Sequence, residues 1–140
     1  MHFNMVNEFM SCQCSTTPVA GMMGTMFVGS DRYKVVCVKV LSPKRVLTAW
    51  LGDFPVKTVD GLDYYDGDVN TLYSRITQVP GWANAEHMTE EDIKELIQHE
   101  IDDNTYTLRQ NGRWIKKGSP AHSTGAIHWG KADEYRDPSF

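Results

Sequence analysis

The stretch "RYKVVCVKV", residues 32–40, limits the fold more than any other part of this sequence. In an extended strand Val36, Val38 and Val40 point to one side, and Tyr33, Val35, Cys37 and Lys39 to the other. Two largely apolar faces require a central strand covered above and below. Turn residues bound it: Gly29-Ser30-Asp31 before, and Ser42-Pro43-Lys44 after, with Pro43 fixing its own φ. "GTMFVG" ahead of the first turn and "RVLTAWL", residues 45–51, behind the second predict flanking strands. The expectation is an antiparallel meander that forms the heart of the core.

A further hairpin is expected at "YTLRQNGRWIKKG", residues 106–118. Asn111-Gly112 favours a two-residue type I′ turn, because both of its positions need positive φ. That register sets Leu108 opposite Ile115 and Arg109 opposite Trp114. Tyr106, Leu108 and Ile115 then share the core face, and Arg109, Trp114 and Lys116 share the outer one.

One helix is predicted over 89–101. Thr89 caps it, Asp92 completes a capping-box-like pair, and Ile93, Leu96, Ile97 and Ile101 form an apolar stripe. His99 falls away from that stripe. The segment from Gly52 to Asn70 reads as a solvated loop. Its Asp60, Asp63, Asp66 and Asp68 lack the alternate-ligand spacing, central glycine and twelfth-position glutamate of a calcium loop. Together these elements predict a mainly β (α+β) chain: a small SH3-like or partly open antiparallel β-barrel with one packed helix. It occupies residues 21–140 as a single domain, behind a flexible arm at 1–20.

Composition narrows the function classes. A formal charge of −4 argues against non-specific nucleic-acid binding, which depends on lysine and arginine meeting phosphates. No apolar run approaches the roughly 18–20 residues that span a bilayer. The first residues lack the basic start and apolar centre of a signal peptide, so an intracellular location is the expectation. Cys12 and Cys14 are too close in sequence for a good disulfide with each other. With Cys37 and His2 they could supply the four ligands of a metal site, but free thiols in a reducing compartment are the simpler reading. No cofactor motif is present.

The residues that suggest chemistry are aromatic and cationic. Arg109, Trp114 and Lys116 on one hairpin face would suit a ligand that combines an aromatic ring with a phosphate. Arg32 and Tyr33 repeat the combination at the first turn, and Trp129, Lys131, Tyr135 and Arg136 repeat it near the C-terminus. A packed sheet face is the competing reading. Enzyme signatures are missing: there is no Gly-x-Ser-x-Gly, phosphate-binding P-loop or His-Glu-x-x-His. His87, His99, His122 and His128 are the general-base candidates, and His122 with His128, six apart, admit a phosphoesterase as the enzymatic alternative.

"GSDRY" followed by "VVCVKV", then "TLRQNGRWIKKG", and finally "EYRDPSF" carry a resemblance. The chain resembles a group of small phage-encoded proteins with a Ser-Asp-x-Tyr turn, a Thr-Leu-Arg-x-Asn-Gly-Arg hairpin and an Asp-Pro-x-Phe end. The resemblance implies phage origin and no catalytic residues, and the expected location is the host cytoplasm. Such a protein can sequester a nucleotide-like defence signal, inhibit a host defence protein directly, or decorate the virion. The aromatic-plus-cation pattern favours sequestration. Valine-rich strands with open edges add the expectation of a homo-oligomer, and the apolar end Asp137 to Phe140 is expected to dock on the domain.

Overall fold

The computed structural model describes residues 16–50, 54–78 and 87–135. Six antiparallel strands close into a barrel: β1 (Met23–Val28), β2 (Asp31–Ser42), β3 (Arg45–Ala49), β6 (Thr105–Leu108), β7 (Trp114–Lys116) and β8 (Ala126–Trp129), with β8 pairing back onto β1. Between β3 and β6 the chain inserts a separate hairpin, β4 (Val56–Val59) with β5 (Leu62–Tyr65), and two helices, α1 (Val69–Thr77) and α2 (Glu90–Asp103). The chain is mainly β, built on a small antiparallel barrel with helices packed beside it. Two details differ from expectation: the barrel is closed rather than partly open, and it carries two helices rather than one.

Closure explains the two apolar faces of β2. Val35 and Cys37 point into the barrel, among Met26, Val46, Trp114 and Trp129. Val36 and Val38 point outward into a second cluster with Met23, Phe54 and Leu72, roofed by α1. Burial of each such side chain is worth about 1.5–3 kcal/mol, so one strand anchors both layers. Val40 lies past this double cover and is 41% exposed. Gly24 on β1 is required by the tight β1–β8 contact. A Cβ there would sit 2.8 Å from both the His128 carbonyl oxygen and the Trp129 ring.

The acidic segment is structured rather than a solvated loop. Asp60 and Gly61 both have positive φ, 54° and 80°, as a type I′ turn demands, and Val59 pairs with Leu62 around them. Asp68 caps α1, its carboxylate accepting from the Asn70 amide at 2.9 Å. Val69, Leu72, Tyr73 and Ile76 then form the helix face that packs on the barrel. Asp63 is buried. It accepts from the Ala132 amide at 2.9 Å and the Thr58 hydroxyl at 2.7 Å, and it joins the β4–β5 hairpin to the chain beyond β8.

The Asn-Gly turn takes a different form. Gly112 has φ 81° whereas Asn111 does not enter the positive region, and the Arg109 amide donates to the Arg113 carbonyl. The loop is therefore Gln110–Gly112, three residues with the glycine in the left-handed position. Asn111 holds it, accepting from the Arg113 amide and donating to the Ala121 carbonyl. Leu108 now faces Trp114, and Thr107 faces Ile115, one residue away from the expected register. A one-residue slip exchanges faces. Trp114 therefore goes into the barrel with Tyr106 and Leu108, and Ile115, also buried, passes to the other side.

Helix α2 begins as expected, with Thr89 and Asp92 forming a reciprocal capping box at 3.1 Å in each direction. It packs chiefly on α1 rather than on the barrel strands, and none of its residues is fully buried. Its C-terminus is fixed to β3: the Asn104 carbonyl accepts from both the amide and the hydroxyl of Thr48. Residues 16–20 are placed, with Pro18 buried; most of the proposed arm, residues 1–15, and the expected docking of 137–140 lie outside the described residues. The barrel has no open edge, which removes the motive for an edge-covering oligomer. Among the described residues the outer side of β4 is the remaining free strand edge, and Pro55 and Lys57 blunt it.

Candidate functional site

The aromatic and cationic residues picked out by composition do not form one binding surface. Trp114 and Trp129 are 6% and 3% exposed and fill the barrel interior. The Trp129 indole Nε1 has no acceptor among the described residues. Arg109 is bound back onto its own hairpin, donating through Nε to the Thr107 hydroxyl at 2.7 Å and through Nη2 to the Lys116 carbonyl at 3.0 Å. Lys116 lies 3.8 Å from Asp103 of α2, and the neighbouring Lys117 pairs with Asp102 at 2.9 Å. The Lys117 hydrogen bond is the main cause of the lowered Asp102 pKa.

Arg32 does meet the C-terminal group. Its guanidinium lies 5.9 Å from the Phe27 ring centroid and 5.8 Å from that of Tyr135, and it pairs with Asp133 at 2.7 Å. Backbone hydrogen bonds between Arg32 and Tyr135 fix the contact. This cluster satisfies its own charge. Lys131 is exposed, and its carbonyl accepts from the buried Thr25 hydroxyl. Arg136 lies outside the described residues.

The histidines are scattered. His87, His99 and His122 are exposed, and His128 is half-buried with its ring 6.5 Å from Phe27. His99 is 3.3 Å from Asp103. No cluster of three or more metal-ligating side chains occurs among the described residues. Cys37 is sealed in the barrel, where burial pushes its thiol up to about 12 and keeps it protonated and unreactive. Cys12, Cys14 and His2 lie outside the described residues.

A concave site exists elsewhere. Where β3 ends, the C-terminal halves of α1 and α2 enclose a cavity of about 270 Å³. Its apolar wall is Ala49, Phe54, Leu72 and Ile76; its polar groups are Trp50, Arg75, Gln78, Glu100 and Asn104. Trp50 is 41% exposed, and the Tyr33 ring braces it edge-on, centroids 5.8 Å apart at 71°. Phe54 is held in the same way by Tyr65. Arg75 lies in the last turn of α1, where a cation suits the helix dipole, and its guanidinium has no acceptor among the described residues. Glu100 likewise has no partner for its carboxylate among the described residues, whereas Asp102 and Asp103, within the next turn, each face a lysine. The Asn104 amide nitrogen donates to the Glu100 carbonyl at 2.7 Å, which leaves the Asn104 side-chain oxygen as an acceptor.

The lining residues thus include an aromatic side chain, Trp50, a cation, Arg75, and the acceptors Glu100 and Asn104, a set of groups that suits a flat anionic ligand. Of the sequence candidates only Tyr33 contributes, from behind Trp50. The others were missed because β3, α1 and α2 each supply one part of the site, and no local spacing joins Trp50 to Arg75 and Glu100. The one readable signal was α1 itself, through the Asp68 cap and the 69/72/73/76 periodicity. No protein-family model, no curated protein and no solved structure matches this chain.

Proposed function

We propose that this protein binds and retains, without transforming it, a small phosphorylated aromatic ligand of nucleotide type, in the cavity between β3, α1 and α2. One observation carries the reading: a braced, exposed tryptophan and a guanidinium with no acceptor among the described residues line one concave site. Stacking on Trp50 holds a base, and Arg75 at the pocket rim takes the phosphate by charge-assisted hydrogen bonds. A cavity of about 270 Å³ suits a single base with its phosphate at the mouth. The described walls hold no serine, cysteine or histidine, which supports retention over chemistry. The motif resemblance supplies the setting: a phage-encoded sponge in the host cytoplasm that removes a signalling nucleotide. Homo-oligomerisation by strand pairing would use the β4 edge.

Calorimetric titration with nucleoside monophosphates tests this, with the ligand recovered afterwards by heat release and identified. Binding with intact recovery is expected. Trp50→Ala should cost about 1–3 kcal/mol with little salt dependence. Arg75→Ala should weaken binding mainly at low ionic strength, where its charge is least screened. Absence of binding across the four monophosphates, or recovery of a cleaved product, refutes the reading.

A further inference from the structure

The cavity carries more than a platform and a cation: its α2 side adds two acceptors, the Glu100 carboxylate and the Asn104 side-chain oxygen. The three carboxylates at the end of α2 differ in one respect. Asp102 and Asp103 face Lys117 and Lys116, whereas Glu100, half-buried on the cavity wall, makes no side-chain hydrogen bond or ion pair among the described residues. Asn104 adds a second acceptor, because its amide nitrogen is engaged by the Glu100 carbonyl. A carboxylate cannot donate, so it demands a ligand edge that presents N–H groups. Arg75, on the opposite helix, demands an anion.

Resting on the nucleotide reading above, we infer that the site selects guanine. Its Watson–Crick edge presents two parallel donors, N1–H and the N2 amine, and so matches a carboxylate in bidentate fashion. Adenine and cytosine each place a ring acceptor beside their amine, and uracil flanks its N3–H with two carbonyls. Each of these sets a lone pair against Glu100. A half-buried site that leaves a carboxylate facing a lone pair rejects that base strongly, because neither group recovers the hydrogen bonds lost from water. The ligand class is a guanine nucleotide with its ring on Trp50, its donor edge on Glu100 and Asn104, and its phosphate at Arg75.

Equilibrium dialysis of the full chain against GMP, IMP and AMP separates the two levels of the reading. GMP should bind at least tenfold more tightly than AMP. IMP, which keeps N1–H and lacks the N2 amine, should fall between them. Glu100→Gln should reduce GMP affinity to near the AMP value, because an amide cannot accept both N–H groups. The IMP arm needs no mutation and stands even if that variant folds poorly. Equal binding of GMP and AMP, or a preference that survives Glu100→Gln, overturns guanine selection and leaves nucleotide binding in place. Failure of all three to bind overturns guanine selection, and failure of CMP and UMP as well overturns nucleotide binding.

Discussion

Asp63 joins two parts of the fold that are far apart in sequence, and its removal should be measurable in both stability and pH response. The carboxylate accepts from the Ala132 amide and the Thr58 hydroxyl, while its own amide donates to the Gly130 carbonyl. The two side-chain bonds are unequal. Thr58 is exposed and can turn its hydroxyl to water, so its loss costs little. The Ala132 amide is half-buried and loses a charged acceptor, at about 1.5–3 kcal/mol for a hydrogen bond to an ionised group. Asp63→Ala should therefore destabilise the protein by about 2–3 kcal/mol in urea unfolding at neutral pH. Asp63→Asn keeps one carbonyl oxygen for Ala132 and should cost about 1 kcal/mol.

The pH response separates charge from shape. Burial alone would raise this pKa, but the hydrogen bonds from Ala132 and Thr58, with Lys131 nearby, hold it below the ordinary 3.8. A depressed native pKa stabilises the fold above the unfolded value, and this contribution is lost as pH falls through the native value. The stability difference between wild type and Asp63→Asn should thus shrink below about pH 4. Hydrogen exchange at the Ala132 amide should accelerate in Asp63→Ala before global unfolding. An Ala variant that costs under about 0.5 kcal/mol, or a difference flat with pH, refutes the clamp.

Arg113→Ala should cost about 2 kcal/mol by urea denaturation, since its guanidinium donates to the Ala121 and Ser123 carbonyls and holds residues 119–125 on the hairpin; a lysine there should restore less than half, having no planar fork. Trp114→Ala should destabilise by about 3–5 kcal/mol through a barrel cavity, and ligand affinity measured well below the melting temperature should hardly change. Binding that disappears in that variant while the fold persists would return the ligand to the hairpin. Cys37 should resist a thiol reagent at mildly alkaline pH until the protein unfolds. Its raised native pKa adds stability below the ordinary thiol value of 9.0, and that stability should fade as pH climbs towards 12. A native thiol titrating near 9 in absorbance measurements would contradict its burial.

Elements with a local cause were legible in the chain alone. Two-sided apolarity in 33–38 dictated a strand covered on both faces, and the barrel interior and α1 provide that cover. The Thr89–Asp92 capping box started α2 where chemistry within four residues says it must. Asp60-Gly61 was an equally local hairpin signal, obscured by reading its aspartates together as solvated charge. Register and company came from long-range packing. Asn111-Gly112 is compatible with a two- or a three-residue loop, and bonds to Ala121, outside the hairpin, accompany the longer one. That single-residue difference sent Trp114 inward and dismantled the expected binding face. Trp50, Arg75 and Glu100 meet because barrel closure and helix packing bring three distant segments together. Spacing along a chain encodes faces of one element; a pocket built between elements depends on packing energies that no single segment contains.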